Sequence, residues 1–283
     1  MQGKTVLVTG ANQGIGKATA IALAAKGADV VLVARNAEKG RAALAEVQAA
    51  GGGKAELIVA DLSSQEQVRR AAAELKARHA RLDVLVNNAG VYVPERHTTA
   101  DGLEETFGLN HLGYFLLTRE LLDVLQATPG ARIVNVSSEA HRGARMRWED
   151  LQFERTRYSG FKAYGQSKLA NVLFTYELAR RLEGTGVTAN CLHPGVIGSG
   201  FGRTYGSALS ILVKIARPFL LSPEEGARTS IYLASSPEVE GVTGKYFSKC
   251  KPVQSNALSY DVQSRQKLWS LSEQLVKAHS KAA

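Results

Sequence analysis

The sequence predicts an α/β domain built as a doubly wound parallel sheet of about seven strands with helices on both faces. Short apolar, β-branched runs alternate with longer helical patterns along almost the whole chain. The apolar character of these runs is nearly continuous, which is typical of strands covered on both faces. No repeat, low-complexity linker or interior boundary interrupts the pattern, so residues 1–283 are predicted to form a single domain.

The predicted elements follow one another in regular order. Capping boxes at Ser63–Glu66 and Ser222–Glu225 begin two helices, and Gly27 and Gly184 follow the ends of two others. The predicted strands are Thr5–Thr9, Asp29–Ala34, Ala55–Ala60, Val84–Asn87, Arg132–Val136, Val187–Leu192 and Gly244–Phe247. The predicted helices are Ile15–Lys26, Ala37–Ala50, Gln65–His79, Leu103–Gln126, Phe161–Leu182 and Pro223–Ser235.

The composition is that of a soluble globular protein, with 45% hydrophobic and 22% charged residues in a chain of 283. The modest aromatic content argues against a stacking platform for single-stranded nucleic acid. The two cysteines, Cys191 and Cys250, make no disulfide framework, which favours a reducing cytoplasm. The start lacks the apolar stretch of a secretory signal, and no window reaches about 18 uncharged apolar residues. We therefore expect neither export nor a transmembrane segment.

The formal charge of +9 would attract phosphates, nucleic acids or anionic lipid surfaces. The basic residues, however, stand in short groups scattered through the chain rather than in one long run. This distribution favours a solvated surface and no nucleic-acid partner, with a basic nucleic-acid binder of strong salt dependence as the alternative. The six histidines show no ligand spacing, so no metal site is predicted.

The first predicted strand runs directly into a glycine-rich turn and then into a helix. Glycines at such a junction let the backbone approach a pyrophosphate, and the helix N-terminus supplies N–H groups with a partial positive charge. The Gly-x-x-x-Gly-x-Gly spacing departs from the Gly-x-Gly-x-x-Gly fingerprint, but three glycines here indicate a dinucleotide rather than a structural turn alone. The residues predicted to contact it are Gly10, Asn12, Gln13, Gly14, Ile15 and Gly16.

The second predicted strand ends at Ala34-Arg35-Asn36. A carboxylate at this place would accept hydrogen bonds from the adenosine ribose 2′-hydroxyl, and the segment contains none. A guanidinium instead suits a 2′-phosphate, so Arg35 favours NADP(H) over NAD(H). The alternative is an ordinary exposed arginine at the start of a loop.

Tyr164 and Lys168 lie four residues apart in a predicted helix and therefore share one face, with about 5–6 Å between their β-carbons. A tyrosine alone is a poor proton donor near neutral pH, because its ordinary pKa is about 10. A neighbouring ammonium favours the phenolate and lowers that pKa. Such a pair suits carbonyl and alcohol chemistry, although the spacing by itself is common in solvated helices.

Seven motifs stand in register along nearly the whole chain: Thr9–Gly16, Asp61-Leu62, Asn87–Gly90, Asn110, Ser137-Ser138, Tyr164-x-x-x-Lys168 and Pro194–Ser199. This series resembles that of the short-chain dehydrogenases/reductases and implies a Rossmann-like fold. The segments Ala163–Asn171 and Gly244–Cys250 are similar to the retinol dehydrogenase-like branch of that family. The long segment between the serine and tyrosine motifs is a further similarity to that branch.

The resemblance implies an NADP(H)-dependent oxidoreductase that moves a hydride between the nicotinamide and a small, largely apolar carbonyl or alcohol. Ser138 would hydrogen-bond the substrate oxygen, Tyr164 would exchange its proton, and Lys168 would hold the ribose while lowering the tyrosine pKa. Asn110 would order a water relay. Taken alone, Ser138 and Asn110 could also be cap or turn residues. The alternative function is a catalytically silent NADP(H)-binding sensor or regulatory protein of the same fold.

The resemblance also places further residues around the cofactor and the substrate. Residues 1–136 would form mainly the cofactor half, and residues 137–283 mainly the catalytic and substrate half. Implied on the adenosine side are Asp61, Leu62, Asn87 and Ala89, with Gly90 from the same motif; implied at the nicotinamide are Pro194, Gly195, Ile197 and Ser199, the last standing where the family commonly has threonine. Expected near the substrate are Tyr92, Glu139, His141, Phe201 and Tyr205, with loop packing, or solvent exposure for Glu139, as the alternative.

The segment from 198 to 221 ends in the apolar run Ala208–Leu221. It is interpreted as a lid over a lipophilic substrate or as a peripheral membrane contact, with ordinary burial against the core as the alternative. The membrane anchor frequent at the N-terminus of the branch is not found here, which argues against membrane association. The resemblance suggests a homodimer or homotetramer through the helices Leu103–Gln126 and Phe161–Leu182, with a monomer as the alternative, and the expected location is cytoplasmic.

Overall fold

The computed structural model describes residues 1–51, 53–195 and 221–277. One sheet contains β1 (Thr5–Thr9), β2 (Asp29–Ala34), β3 (Ala55–Val59), β4 (Val84–Asn87), β5 (Arg132–Val136), β6 (Thr188–His193), β7 (Tyr246–Ser248) and β8 (Lys251–Val253). Their order is β3-β2-β1-β4-β5-β6-β7-β8, parallel throughout except for the antiparallel β8. The order reverses between β1 and β4, where doubly wound sheets bind their ligands. The predicted fold class is confirmed, with one strand more than expected.

Helices cover both faces of this sheet. They are α1 (Gly14–Ala25), α2 (Ala37–Ala49), α3 (Gln65–Arg78), α4 (Glu105–Phe107), α5 (Gly113–Glu120), α6 (Leu122–Gln126), α7 (Gly160–Arg181), α8 (Pro223–Ser235) and α9 (Val262–Lys277). Short 3-10 turns occupy Glu139–His141, Pro237–Val239 and Ala257–Tyr260. Within the described ranges, no helix combines the length and the apolar character needed to cross a bilayer.

The strands supply two apolar cores, one on each face of the sheet. Leu7 of β1 packs with side chains of α3, α5 and α7, whereas Val6 and Val8 of the same strand pack with side chains of α1, α2 and α8. Successive side chains of a strand point to opposite faces, so a strand covered on both sides needs apolar residues at most positions. This requirement produces the continuous apolar runs in the sequence.

The prediction of one continuous helix over Leu103–Gln126 is wrong. The structure divides this segment into α4, one π-helical turn at Gly108–Leu112, α5 and α6. A π turn inside a helix shifts the side-chain register and frequently marks a functional site. Here it contains Asn110, whose side chain bonds the backbone of Val91 in both directions. That long-range contact leaves no mark on the apolar periodicity from which the helix is predicted.

The sequence pattern also leaves β8 and α9 unpredicted. The turn between β7 and β8 consists of Lys249 and Cys250, with positive φ angles of 50° and 59°. Two-residue hairpin turns of this kind usually contain Asn-Gly or Asp-Gly, so a Lys-Cys pair gives no turn signal. The strand β8 is exposed and contains Pro252, which suits the edge position that it occupies.

The C-terminal helix α9 packs across α5 and α7. The ring centroid of Trp269 lies 5.0 Å from that of Phe115 in α5 and 5.9 Å from that of Phe174 in α7. The guanidinium of Arg181 lies 4.1 Å from the centroid of the same indole ring. A homodimer through these two helices must therefore use their other faces or displace α9. The homodimer or homotetramer stays a prediction.

Candidate active site

The glycine-rich turn joins β1 to α1 at the reversal point of the sheet. Gly10 and Gly14 have positive φ angles of 63° and 55°, which glycine adopts without strain. A β-carbon on Gly16 would lie 2.4 Å from the carbonyl oxygen of Gly10 and 2.5 Å from Nδ2 of Asn88. Gln13 stands at the N-cap of α1 without a side-chain cap bond, so it does not occupy the N–H groups of the first turn. A close turn followed by an uncapped helix N-terminus fits the pyrophosphate of a dinucleotide.

Two polar side chains outside the predicted contact set hold this turn in place. Oγ1 of Thr9 accepts hydrogen bonds from the backbone N–H groups of Asn88 at 2.8 Å and Ala89 at 2.9 Å. Nδ2 of Asn88 donates to the carbonyl oxygen of Thr9 at 2.8 Å. Because β1 and β4 are neighbours, their carboxyl ends meet, and these bonds fasten the glycine turn to the end of β4. A polar residue at the end of the first strand or directly after the fourth is the available sequence signal.

The other predicted cofactor residues in this region differ in how they are placed. The Asn87 side chain is fully buried and donates to Oγ1 of Thr118 at 3.0 Å and to Oδ1 of Asn135 at 2.9 Å. Its side chain is therefore engaged inside the protein, and a cofactor contact would have to come from its backbone. Leu62 is buried in the core, whereas Asn12, Ile15 and Ala89 are partly exposed and Gly90 is exposed.

Arg35 and Asp61 meet at the carboxyl ends of β2 and β3. Nη1 of Arg35 lies 3.6 Å from Oδ2 of Asp61, and 70% of the Arg35 side chain is exposed. Oδ1 of Asp61 accepts hydrogen bonds from the backbone N–H and the hydroxyl of Ser63 at 2.9 and 2.7 Å. A carboxylate therefore does stand beside Arg35, contributed by the next strand. It is fixed in place, while the guanidinium is largely accessible to a dissolved anion.

Tyr164 and Lys168 lie on successive turns of α7, as the spacing predicts. Nζ of Lys168 is 5.6 Å from the centroid of the Tyr164 ring and donates a hydrogen bond to the carbonyl oxygen of Val136 at 3.1 Å. Burial lowers the pKa of Lys168 from 10.5 to about 7, because removal from water disfavours the ammonium. Burial therefore favours the neutral amine far more than in an exposed lysine.

Gly90 lies close to both Asn110 and the Lys168 amine. A β-carbon on Gly90 would lie 3.3 Å from Oδ1 of Asn110 and 3.4 Å from Nζ of Lys168. Oδ1 of Asn110 accepts from the N–H of Val91 at 2.8 Å, and Nδ2 donates to the Val91 carbonyl at 2.9 Å. The missing side chain at Gly90 thus lets the loop after β4 approach closely. The structure brings Gly90, Asn110 and Lys168 together.

Ser138 follows β5 at the same edge of the sheet. The hydroxyl of Ser137 donates to the backbone carbonyl of Lys168 at 2.8 Å, so the end of β5 is tied to α7. Oγ of Ser138 accepts a hydrogen bond of 3.3 Å from the N–H of Ala140, which caps the turn Glu139–His141. Since the oxygen accepts this bond, the Ser138 proton remains available for donation to another acceptor.

The ring of Tyr114 also lies beside Lys168. The sequence analysis does not identify this residue as part of the site. Its ring centroid lies 5.8 Å from Nζ of Lys168, and the residue is only 1% exposed. Among the described residues, none makes a hydrogen bond with its hydroxyl. Burial and the nearby Tyr164 raise the pKa of Tyr114 well above its ordinary range. Because α5 is apolar along most of its length, no local signal distinguishes this tyrosine from a core residue.

An aromatic group adjoins the proposed proton donor. The ring centroid of Tyr92 lies 6.1 Å from that of Tyr164 and 5.3 Å from that of Phe161. Burial raises the pKa of Tyr92 above its ordinary value. Phe161, which the sequence analysis does not assign to the site, is 63% exposed. Such an apolar, aromatic surface suits a hydrophobic substrate better than a charged one.

Glu139 and His141 occupy the turn after Ser138. Glu139 is exposed and forms an ion pair with Arg142, as a solvent-facing carboxylate would. His141 is fully buried: its Nδ1 lies 2.6 Å from the Ser138 carbonyl oxygen, and its ring centroid is 4.6 Å from that of Tyr246. Burial lowers the pKa of His141 below its ordinary value. This placement favours a packing role, and a substrate contact for either residue stays a prediction.

The structure describes only the first part of the segment predicted to contact the nicotinamide. Pro194 and Gly195 follow β6, and Gly195 has a positive φ of 94°. Ile197, Ser199, Phe201, Tyr205 and the lid 198–221, except for Leu221, lie outside the described residues. In the described part of the chain, no cluster of histidine, cysteine, aspartate or glutamate side chains is arranged to hold a metal ion.

A family model for the short chain dehydrogenases matches residues 4–209. The chain belongs to this family. Human retinol dehydrogenase 14 is 45% identical over 98% of the chain and 87% of its own length. Mouse retinol dehydrogenase 12 is 43% identical over 97% of the chain and 86% of its own length, and human retinol dehydrogenase 13 is 44% identical over 97% and 85%. The predicted membership of the retinol dehydrogenase-like branch is confirmed.

Solved structures agree with this membership. A Mycobacterium paratuberculosis protein of undefined function superposes with a TM-score of 0.79 at 36% identity, covering 98% of this chain and 94% of that one. A complex of Pseudomonas aeruginosa RhlG with NADP superposes with a TM-score of 0.71 at 30% identity, covering 87% and 94%. This short-chain dehydrogenase is therefore an oxidoreductase that uses a nicotinamide cofactor for hydride transfer.

Proposed function

We propose that this short-chain dehydrogenase is NADP(H)-dependent and acts on a largely apolar carbonyl or alcohol, with Tyr164 as general acid and base. The observation that carries the proposal is the Lys168 amine, held 5.6 Å from the Tyr164 ring by its bond to Val136. When bound, the nicotinamide supplies the hydride that reduces the carbonyl carbon. Tyr164 donates its proton to the substrate oxygen in reduction and takes it back in oxidation.

The neighbours of Tyr164 have supporting roles in this proposal. A protonated Lys168 stabilises the phenolate that remains after proton transfer, because opposite charges in a buried site interact strongly. Ser138 uses its available proton to hydrogen-bond the substrate oxygen as negative charge develops there. Asn110 lies beside Gly90 and Lys168, where it orders the route by which Tyr164 is reprotonated. Residues 1–136 contribute mainly the cofactor half, and residues 137–283 mainly the catalytic half.

Arg35 is the basis for preferring NADP(H). Its exposed guanidinium stands at the end of β2, where a doubly wound domain receives the adenosine ribose. A planar guanidinium binds a phosphate through two parallel hydrogen bonds, which a ribose hydroxyl cannot match. The structural relative RhlG was solved with NADP, which supports the same preference.

The substrate class is argued from the surface beside Tyr164. Tyr92 and the exposed Phe161 present aromatic rings there. The curated relatives are named for retinol, an alcohol with a long hydrocarbon chain, which agrees with an apolar substrate. With NADPH as cofactor, reduction is the expected direction in cells. A cytoplasmic location and the absence of a nucleic-acid partner remain predictions from the sequence.

The test is an NADPH-oxidation screen over aldehydes and ketones of increasing chain length. We expect turnover that improves with chain length until the apolar surface is filled. Tyr164→Phe should bind NADPH as the wild type does, measured by nicotinamide fluorescence, and lose at least about 100-fold in kcat. Tyr176→Phe, which alters a buried tyrosine bonded to Ser255, is the matched control and should keep kcat.

Two outcomes would contradict the proposal. An active Tyr164→Phe variant would remove the tyrosine from its role as proton donor. A wild-type chain that binds NADPH but turns over none of the compounds, in either direction, would favour the silent cofactor-binding sensor.

A further inference from the structure

A chain of buried polar side chains runs from the C-terminal helix to the candidate active site. Oγ of Ser272 in α9 lies 2.9 Å from Nε2 of His111, and Nδ1 of His111 lies 3.4 Å from Oδ1 of Asn171 in α7. Nδ2 of Asn171 donates to the backbone carbonyl of Asn110 at 2.9 Å. All four residues are at most 1% exposed. Buried polar groups at this depth stabilise a fold only when they are paired. The fold therefore depends on keeping these hydrogen bonds.

This series of hydrogen bonds ends at the Val136 carbonyl oxygen, which also holds the Lys168 amine. Nδ2 of Asn171 also lies 3.5 Å from the carbonyl oxygen of Val136, the same oxygen that accepts the hydrogen bond from Nζ of Lys168 at 3.1 Å. The Asn110 side chain, one residue from His111, fixes the loop beside Gly90 and donates to Oγ of Ser167 at 3.1 Å. Asn171 therefore hydrogen-bonds two backbone segments beside the site, the end of β5 and the π turn.

The hydrogen-bond partners determine the protonation of His111. Because Nδ2 of Asn171 is used as a donor, its Oδ1 must accept, and Nδ1 of His111 carries the proton. Burial lowers the pKa of His111 to about 4, so the ring is neutral and its Nε2 accepts from Ser272. The single hydroxyl proton of Ser272 has a second acceptor, the carbonyl of Leu268 at 2.8 Å. The Ser272 proton is therefore shared between Nε2 of His111 and the carbonyl oxygen of Leu268.

The helix α9 is fixed firmly enough to serve as an anchor. Trp269 packs against Phe115 and Phe174, and the carbonyl oxygen of Val276 accepts a hydrogen bond of 2.9 Å from Arg69 in α3. Ser272 lies between these two contacts in α9. Its distance from His111 is therefore set by contacts that do not involve the active site.

We propose that His111 and Asn171 are positioning residues for Lys168, and that α9 anchors them through Ser272. This inference rests on the proposed function, because it assigns to Lys168 the tuning of Tyr164. Loss of these hydrogen bonds leaves the Val136 carbonyl and the π turn less well fixed. The Lys168 ammonium then moves relative to the Tyr164 hydroxyl. Misplacement of a catalytic group by about 1 Å costs up to about 100-fold in rate. The loss should therefore fall on kcat.

Three variants test the inference by steady-state kinetics with NADPH and a substrate from the screen. His111→Leu removes both contacts and should lower kcat about tenfold or more, with the KM for NADPH changed less than about threefold. His111→Asn keeps a donor toward Asn171 and should recover most of the loss. Ser272→Ala removes only the contact in which the hydroxyl proton is shared with Leu268, and it should lower kcat by about two- to fivefold.

The matched control is Ser255→Ala. Ser255 is also buried and lies 2.8 Å from the hydroxyl of Tyr176 in α7, but that contact does not lead to Lys168. It should lower the thermal midpoint about as much as Ser272→Ala and leave kcat unchanged. A folded His111→Leu with wild-type kcat would overturn the inference, as would an equal loss of kcat in the Ser255 variant. The Tyr164→Phe variant in the same assay separates failure of this inference from failure of the proposed function.

Discussion

The guanidinium of Arg35 lies 3.6 Å from the carboxylate of Asp61, so a cation and an anion share the place proposed for the adenosine 2′-phosphate. The Arg35 side chain is 70% exposed, and exposed ion pairs contribute only about 0–1 kcal/mol to stability. Arg35 can therefore exchange the carboxylate for a phosphate at little cost.

Reversing the charge at this position should change the cofactor preference. We expect Arg35→Asp to raise the KM for NADPH about tenfold or more, because a charge-assisted bond to phosphate is lost and two carboxylates repel it. The KM for NADH should stay or fall, since a carboxylate accepts from the ribose 2′-hydroxyl. Arg41→Asp, an equal charge reversal on the exposed face of α2, is the control. An unchanged ratio of the two KM values would remove Arg35 from this role.

Lys168 should make the stability of the cofactor-free protein depend on pH. Its pKa is 10.5 ordinarily and about 7 in the fold, because burial disfavours the ammonium. Between these values the unfolded chain binds more protons than the folded one, so the free energy of unfolding rises with pH. The slope reaches at most about 1.4 kcal/mol per pH unit. Below about pH 7 the full cost of the buried charge is present.

Lys168→Met removes this charge and keeps the length of the side chain. We expect it to abolish turnover while raising the free energy of unfolding at pH 6.5, measured by urea denaturation without cofactor. The advantage over the wild type should shrink steadily as pH rises toward 10. An advantage that stays constant with pH would show that the lysine is not buried as a charge.

Tyr114→Phe should leave the protein as stable as before or stabilise it. Its hydroxyl is buried without a hydrogen-bond partner among the described residues, and such a group costs about 1–3 kcal/mol. Tyr176→Phe removes a hydroxyl paired with Ser255 at 2.8 Å and should destabilise by about 1 kcal/mol. The test compares the thermal unfolding midpoints of the two variants with that of the wild type. A destabilised Tyr114→Phe variant would mean that the hydroxyl is paired in solution.

Gly16→Ala should impair cofactor binding and stability together. The new β-carbon would lie 2.4 Å from the Gly10 carbonyl oxygen and 2.5 Å from Nδ2 of Asn88, so the turn must open. We expect NADPH affinity to fall about tenfold or more in a fluorescence titration, since the backbone no longer fits the pyrophosphate. Gly143→Ala is the control, because no atom lies within 4 Å of a β-carbon there. Wild-type affinity in the Gly16 variant would remove the turn from the cofactor site.

Elements that depend on residues close together in the sequence are predicted correctly, and elements that depend on distant contacts are missed. Strands β1 to β6 lie within one residue of their predicted bounds, because burial on both faces favours apolar residues at most positions. The glycine turn and the Tyr164–Lys168 pair are equally local. The π turn and α9 depend instead on long-range contacts, namely the Asn110–Val91 bonds and the packing of Trp269 against Phe115. The strand β8 is missed because its hairpin turn consists of Lys249 and Cys250, which are atypical turn residues.

By itself the sequence determined the fold class, the strand positions, the family motifs and the pair of residues proposed for proton transfer. The strand positions and the residue pair depend on residues close together in the chain, whereas the motifs point to the chemistry through their resemblance to a known family. Only the tertiary structure decided that Asp61 stands beside Arg35, that the Tyr114 ring lies beside Lys168, and that α9 reaches the site through His111. These contacts join distant segments whose pairing depends on the packed shape of the whole domain. A residue such as Ser272 therefore carries no local sign of the partner that it will meet.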